Sequence, residues 1–115
     1  MQMKLKVVTK GCFYYIDTSE ILYVRSAENG SDVVLSDRET VRTARRIGHL
    51  EGELPASSFF RVHKSYLVNL RRLTSMDYPA NEIVVEHSIK IPISRRKKAP
   101  FLELMNLLEP GSPLD

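Results

Sequence analysis

Two clusters of basic residues without acidic neighbours are the residues of this sequence best suited to bind a ligand. Residues 59–72 carry four bases and no acid, and residues 90–98 carry five bases and no acid, whereas residues 1–58 carry eight of each. The bases of the first segment are Arg61, Lys64, Arg71 and Arg72. Two such segments favour an anionic partner, although charges that keep an edge strand soluble produce the same pattern.

The second basic segment lies where a strand is predicted to pass into a helix, with Ser94 as a candidate N-cap. Cations near a helix N-terminus are disfavoured by the helix dipole, so stability alone does not explain the four that follow Ser94. Free backbone N–H groups beside cations suit a phosphate, and a solvated charge run is the alternative. The guanidinium fork of Arg95 can bond two acceptors of a guanine, so Arg95 is the best candidate for reading bases.

Catalytic motifs find little support in this sequence. The three histidines belong to no nucleophile or metal motif, and there is no glycine-rich phosphate loop. We therefore predict no enzymatic activity, no metal and no cofactor. His63 is predicted to make a structural hydrogen bond or to touch phosphate, while a hydrolase pair with Ser65 is disfavoured because no third group orients it. His49 is predicted to be solvated, and Cys12 to be a small buried hydrophobe.

Strands are the elements that must position the basic residues. Alternating apolar and polar residues predict a β meander over the first forty residues. The predicted hairpins turn at residues 10–11, 29–30 and 86–88. The first basic segment is predicted to form two short strands around a water-facing joint at His63 and Lys64. Pro92 has no N–H, so the last strand should be an edge strand or should end just after Pro92.

Residues 20–26 are predicted to form a strand that is covered on both sides. Ile21 and Tyr23 lie on one predicted face, and Leu22 and Val24 lie on the other. Both faces are apolar, so neither is expected to meet solvent.

Two helices are predicted. The first spans residues 43–54, with Thr43 as its N-cap and Pro55 as its stop. The C-terminal helix should begin between Ser94 and Pro100, with Pro100 in its first turn and the two arginines at 95 and 96 still on a loop. Its broad apolar face should cap the open side of a sheet.

Length and composition predict one domain with one core, because the chain has 115 residues and is 43% hydrophobic. We assign residues 1–109 to this domain and residues 110–115 to a disordered tail. The sequence contains no apolar run long enough to cross a bilayer and no signal region, so we expect a soluble cytoplasmic protein that does not bind membranes.

Three stretches resemble the LytTR DNA-binding domain of bacterial transcription regulators. They are EILYVRSAENG at residues 20–30, LPASSFFRVHKSYLVNLRRL at residues 54–73 and IPISRRKKAPFLELM at residues 91–105. The resemblance implies a mostly β (α+β) fold of about ten strands in stacked antiparallel sheets, with one short internal helix and a C-terminal helix. It also implies that loops and short helices, rather than a recognition helix, enter the DNA.

The resemblance further implies which side chains contact DNA. Base contacts come from the early loop, the joint of the histidine-containing motif and the final strand-to-helix turn. In this sequence those positions are Asn29, Ser31, Lys64 and Arg95. The phosphate contacts that we infer are Arg61, His63, Arg96 and Lys98.

The sequence thus predicts a sequence-specific double-stranded DNA-binding domain that controls bacterial transcription, as in two-component response regulators. Two copies are expected on repeated half-sites, as a homodimer on DNA. The resemblance also implies a receiver or other input domain ahead of this module, and we expect none within these 115 residues. The alternative is a β-rich protein-interaction module whose basic face binds acidic partners or an anionic membrane surface.

Overall fold

Ten strands in three antiparallel sheets form the architecture of this chain, seen in a computed structural model that describes residues 3–108. The strands are β1 (Lys4–Thr9), β2 (Cys12–Asp17), β3 (Ile21–Ala27), β4 (Gly30–Leu35), β5 (Thr40–Thr43), β6 (Phe59–His63), β7 (Tyr66–Asn69), β8 (Leu73–Asp77), β9 (Glu82–Val85) and β10 (Ile89–Pro92). The helices are α1 (Ile47–Glu53) and α2 (Arg95–Leu108). The predicted mostly β fold with two helices is confirmed, and the tail predicted at residues 110–115 lies outside the described residues.

The three sheets stack in layers around two apolar cores. Strands β1 and β2 form a two-stranded ribbon, strands β5-β4-β3-β7-β6 form a central sheet, and strands β10-β9-β8 form an outer sheet. One core joins the ribbon and α1 to the central sheet, through residues such as Val7, Leu50 and Leu67. The other joins the central sheet to the outer sheet and α2, through residues such as Val68 and Phe101. The single core that composition predicts is therefore divided in two by the central sheet.

Strand β3 is buried on both faces, as predicted, but the assignment of its residues to faces is wrong. Ile21 and Val24 belong to the ribbon-side core, whereas Leu22 and Tyr23 belong to the outer-sheet core. The cause is a register shift against β4 between Ile21 and Tyr23, where one additional residue enters β3. A β-bulge of this kind moves the later side chains to the opposite face.

The predicted hairpins of the meander form, with one shift. Lys10 and Gly11 both have positive φ and connect β1 to β2. In the second hairpin Ala27 pairs with Gly30, so the turn is Glu28-Asn29, and Gly30 is already part of β4. A Cβ atom on Gly30 would lie 2.0 Å from the carbonyl oxygen of Thr43, so this close approach of β5 requires glycine.

The first helix starts later than the sequence predicts. Thr43 is the last residue of β5, where it pairs with Ser31, and it is not the N-cap of α1. Its hydroxyl oxygen accepts a hydrogen bond from the backbone N–H of Arg45 at 3.2 Å. Strand pairing therefore continues to Thr43, and the helix begins at Ile47.

The C-terminal helix starts at Arg95, within the predicted interval between Ser94 and Pro100, but Arg95 and Arg96 lie in its first turn rather than on a loop, and Pro100 lies in its second turn. Ser94 fixes this start: its N–H donates to the Val62 carbonyl at 2.9 Å, and its carbonyl accepts from the N–H of Lys97 at 3.0 Å. Pro100 lacks the N–H that would bond the Arg96 carbonyl.

Three other predictions can be compared with the structure. β10 is an edge strand of the outer sheet, as Pro92 predicts. His49 is exposed, as predicted, whereas Cys12 is exposed rather than buried, because β2 covers the core only near its end at Ile16. Neither helix within residues 3–108 is long and apolar enough to cross a membrane.

Candidate nucleic-acid interface

Two neighbouring grooves bring the predicted basic segments together. The α1 groove is lined by Ser26, Ala27, Gly30, Arg46, Ile47, Gly48, His49, Arg61 and Lys64. The α2 groove is lined by Glu51, Arg61, His63, Lys64, Ser94, Arg96 and Lys97. Arg61 and Lys64 line both grooves, so the β6–β7 turn separates one from the other.

The β6–β7 turn presents Lys64 to solvent. His63 pairs with Tyr66, so the turn consists of Lys64 and Ser65, one residue later than the joint predicted from the sequence. The Ser65 carbonyl accepts a hydrogen bond from the N–H of Ser26 at 2.9 Å, which attaches the turn to β3. Lys64 is exposed, and its ammonium group makes no hydrogen bond or ion pair within the described part of the chain.

Arg61 stabilises this turn through hydrogen bonds to its backbone. Its guanidinium donates to the carbonyl oxygen of His63 at 3.1 Å and also to the carbonyl of Lys64. A third bond reaches the carboxylate of Glu51 on α1 at 2.8 Å, and the Arg61 side chain is only 22% exposed. Arg61 therefore holds both the turn and α1, and an acid from another segment already balances its charge.

His63 makes the structural hydrogen bond that was one of its two predicted roles. Its Nδ1 accepts from the N–H of Ser65 at 3.1 Å, and its ring meets the Tyr66 ring edge-on with centroids 5.7 Å apart. Because Nδ1 is an acceptor, Nε2 carries the proton of the neutral imidazole. His63 also lines the α2 groove, and its contact with phosphate stays a prediction.

The first turn of α2 supplies the cations of the other groove wall. Arg95 and Arg96 are exposed, and neither makes an ion pair or a side-chain hydrogen bond with residues 3–108. Arg96 lines the α2 groove, whereas Arg95 lies beside it at the start of the helix. The Lys98 ammonium is placed away from the groove lining, 3.6 Å from the centroid of the Tyr78 ring, and donates to the Tyr78 carbonyl at 3.1 Å.

The early loop presents one of its two predicted base contacts to solvent. Asn29 is exposed at the tip of the β3–β4 hairpin with φ of 59°. Ser31 is fully buried, and its hydroxyl donates to the Arg45 carbonyl at 2.8 Å. The Ser31 side chain therefore supports the base of the hairpin and faces away from solvent.

Cross-strand charge pairs stiffen the same hairpin. Arg25 donates to the carboxylate of Asp32 at 3.0 Å, and this hydrogen bond raises the pKa of Arg25. Arg42 on β5 approaches the other oxygen of Asp32 at 3.5 Å and donates to the Glu28 carbonyl at the tip. These pairs connect β3, β4 and β5 beside the loop that carries Asn29.

Sequence reasoning missed Arg46, which is exposed and lines the α1 groove. The balanced charge of residues 1–58 concealed it, because only folding separates Arg46 from its neighbour Arg45, which pairs with Glu53. Arg72 and Arg71, by contrast, lie outside both grooves. Arg72 bonds Glu86 through two contacts of 3.0 Å, and the Nε of Arg71 donates to the hydroxyl of Ser58.

The charge of the interface is thus positive and only partly neutralised. The groove cations that make no ion pair within residues 3–108 are Arg46, Lys64, Arg96 and Lys97. Exposed cations gathered from three separate elements attract an extended polyanion. A β-rich module with this surface falls in the class of nucleic-acid-binding domains.

The chain belongs to the family of LytTr DNA-binding domains, which matches residues 11–106. The chain is therefore a DNA-binding module of the kind found in transcription regulators. The resemblance proposed from three sequence stretches is confirmed.

Individual relatives agree with this assignment. The sensory transduction protein LytT of Bacillus anthracis is 27% identical over 107 residues, which cover 90% of this chain and 43% of that protein. The transcriptional regulatory protein YpdB of Escherichia coli K12 is 29% identical over 90 residues, which cover 75% of this chain and 37% of that protein. The chain therefore spans less than half the length of these relatives.

A solved LytTr DNA-binding domain from Bacillus cereus has the same fold. The two structures superpose with a TM-score of 0.77 at 18% sequence identity, and the match covers 91% of this chain and 98% of the other. The layered β architecture is therefore shared at low sequence identity.

Proposed function

We propose that this domain binds specific sequences of double-stranded DNA through its two grooves and so controls bacterial transcription from the cytoplasm. One observation carries the proposal: exposed cations from the start of α1, the β6–β7 turn and α2 line adjacent grooves, whereas Arg61 and Arg72 are paired with acids. Family membership supports DNA as the polyanion. The relatives named as sensory transduction and transcriptional regulatory proteins support a regulatory role, with an input domain such as a phosphorylatable receiver in the whole protein.

The base-reading side chains in this proposal are Arg95, Lys64 and Asn29. All three are exposed and occupy the positions that the resemblance implies. Arg95 can bond a guanine through two donors, Asn29 can bond an adenine in the same manner, and Lys64 reaches either an acceptor on a base or a phosphate. Ser31 is not part of the proposal, because its buried hydroxyl is already bonded.

Phosphate contacts supply most of the affinity and its salt dependence. Arg96 and His63 line the α2 groove, and Arg46 adds a cation to the α1 groove. Arg61 contacts phosphate only by exchanging the Glu51 carboxylate for it, and Lys98 does so only by leaving the Tyr78 ring. We therefore propose Arg96, His63 and Arg46 as the main phosphate contacts, with Arg61 and Lys98 as weaker ones.

Two copies of the domain bind repeated half-sites in this proposal, as a homodimer on DNA. One copy presents only a short set of base-reading side chains, so a pair of copies is needed to select one operator among many competing sites. No cofactor or catalytic step is required.

The proposal is tested by selecting ligands from a pool of random duplex DNA and then measuring affinity against salt. We expect one enriched motif, and a logarithm of affinity that falls with the logarithm of salt by about 0.9 for each phosphate contact. Strong salt dependence without a motif would indicate a nonspecific polyanion binder. Absence of binding at low salt would favour the alternative, a module for acidic proteins or anionic membranes.

Arg95 provides the sharpest single variant. Arg95→Ala should relax preference at one operator position by roughly 1–3 kcal/mol, and Arg95→Lys should do the same because it keeps the charge but loses the fork. Arg96→Ala should instead weaken all sequences equally. Lys90→Ala is the control, because Lys90 is exposed on β10 outside both grooves. An unchanged motif with Arg95→Lys would remove Arg95 from the base contacts.

A further inference from the structure

The two-stranded ribbon exposes an aromatic surface that lies outside both grooves. Five of the six large hydrophobic side chains exposed in the described chain lie on or next to the ribbon, and Phe13 and Tyr15 are 59% and 60% exposed. Phe13 pairs with Val8, which is 45% exposed, so these three side chains share the outer face of the ribbon. Apolar surface gathered in one place on a soluble domain marks an interaction site.

The free edge of β2 indicates which kind of partner this surface can bind. Within residues 3–108, β2 pairs only with β1, so the backbone N–H and C=O groups of its other edge have no strand partner. Natural edge strands are usually protected by proline, charge or a bulge. β10 carries Pro92 and Lys90, and β5 carries Arg42, whereas β2 has no charge or proline before Asp17 and β8 has none before Asp77. Of these last two strands, β2 exposes large aromatic side chains along its length and β8 does not. The edge is therefore suited to pairing with another β-strand.

We propose that β2 pairs with β2 of a second copy of this chain, in antiparallel orientation about a two-fold axis. This inference rests on the pairing of two copies in the proposed function and adds the surface that joins them. Antiparallel pairing of identical strands is self-complementary, so each unpaired group meets its equivalent and the assembly closes as a dimer. The outer faces then join Phe13 and Tyr15 of both copies into one aromatic surface across four strands.

The charge at the tip of the ribbon favours the antiparallel arrangement. At the base, Asp17 pairs with Lys4 at 3.2 Å and Glu20 lies 3.7 Å from Arg72, whereas Lys10 at the tip makes no ion pair within residues 3–108. Parallel pairing would place the two Lys10 side chains together, whereas antiparallel pairing separates them. No ribbon residue lines either groove, so the dimer leaves both grooves of each copy open.

The first test measures association in the absence of DNA, by sedimentation equilibrium from about 1 µM to about 1 mM. We expect a monomer–dimer equilibrium and at least tenfold weaker association for Tyr15→Lys, which adds a charge to the ribbon at an exposed site. Ser75→Lys is the control, because it adds the same charge to an exposed position on β8, another edge strand. A monomer at every concentration, or equal association of Tyr15→Lys and wild type, would overturn the proposal.

Cross-linking tests the register and orientation. Tyr14 and Tyr15 are the central residues of β2, so an antiparallel two-fold pair brings one of them opposite its own copy. With Cys12→Ser as background, Tyr14→Cys or Tyr15→Cys should form a disulfide-linked dimer on mild oxidation, and Ser75→Cys should not. Absence of the dimer from both ribbon variants would exclude this pairing.

Affinity for DNA containing one half-site separates this inference from the proposed function. Tyr15→Lys should bind one half-site as wild type does and lose only the gain from a second half-site. If neither wild type nor Tyr15→Lys binds DNA while wild type still dimerises, the proposed DNA-binding function is wrong and the ribbon interface is supported. If wild type and Tyr15→Lys both bind DNA but wild type is monomeric in the absence of DNA, the ribbon interface is excluded.

Discussion

At the scale of single residues, Arg61 shows why the net charge of a sequence segment does not reveal which of its cations are free to bind an anion. The sequence places it in a segment without acids, and the fold brings Glu51 to within 2.8 Å of its guanidinium. Arg72 likewise pairs with Glu86, an acid from another segment, at 3.0 Å. The exposure of Lys64 and of the arginines at the start of α2 was predictable from sequence, because both sites lie in basic segments beside turns. The partners of each arginine were not, since they come from distant elements.

We predict that Arg61→Lys weakens DNA binding by roughly 1–2 kcal/mol without changing the salt slope, although the variant keeps the positive charge. A lysine cannot bond the two carbonyls of the turn and Glu51 together, so Lys64 would lose its fixed position. Fluorescence anisotropy at several salt concentrations measures both quantities. Glu51→Gln is the matched control, since it weakens only the ion pair and should leave affinity near wild type. Wild-type binding by Arg61→Lys would show that the Arg61 hydrogen bonds to the turn are not needed.

At the scale of elements, the alternation of side chains correctly predicted strands and hairpins but not their irregularities. Strands β3 and β6 each contain a register shift, and neither shift could be predicted from the pattern of apolar residues. A bulge depends on the partner strand, which a local pattern does not contain. The start of α1 was wrong for the same reason, because pairing with Ser31 keeps Thr43 in a strand.

The bulge in β3 places Tyr23 in the outer-sheet core, where its side chain is 7% exposed and burial raises the pKa of its phenol. A raised pKa favours the neutral phenol in the folded state, so its stabilising contribution is complete below the unfolded value of about 10 and is lost as the pH rises above it. We therefore predict that Tyr23→Phe becomes progressively more stable relative to wild type above about pH 10.

Urea unfolding between neutral pH and about pH 11 measures this difference, and Tyr15→Phe at an exposed site is the control for loss of one tyrosine. A constant difference between Tyr23→Phe and wild type across the range would contradict the prediction.

At the scale of the whole molecule, Arg72 connects the outer sheet to the segment between the ribbon and the central sheet. Its guanidinium bonds Glu86, in the turn between β9 and β10 of the outer sheet, and the Ser19 carbonyl, in the turn that leads from the ribbon into the central sheet. The three layers are therefore held together by this contact as well as by their two cores.

We predict that Arg72→Ala lowers the free energy of unfolding by roughly 1–3 kcal/mol, because it removes hydrogen bonds to a charged and a backbone partner. DNA affinity measured well below the unfolding transition should stay unchanged. Arg71→Ala is the matched control, because the adjacent arginine makes only one side-chain hydrogen bond, to Ser58, within the described chain. Equal destabilisation by the two variants, or loss of DNA affinity in folded Arg72→Ala, would contradict this role.

The β6–β7 turn forms a wall common to both grooves, and this has a consequence for how operators should be scored. A base that draws Lys64 toward one groove removes it from the other, so preferences at the two corresponding operator positions become interdependent. Scores that add independent contributions from each position should then misrank operators that differ at both positions. Pairwise operator variants should show the discrepancy in wild type and lose it in Lys64→Ala.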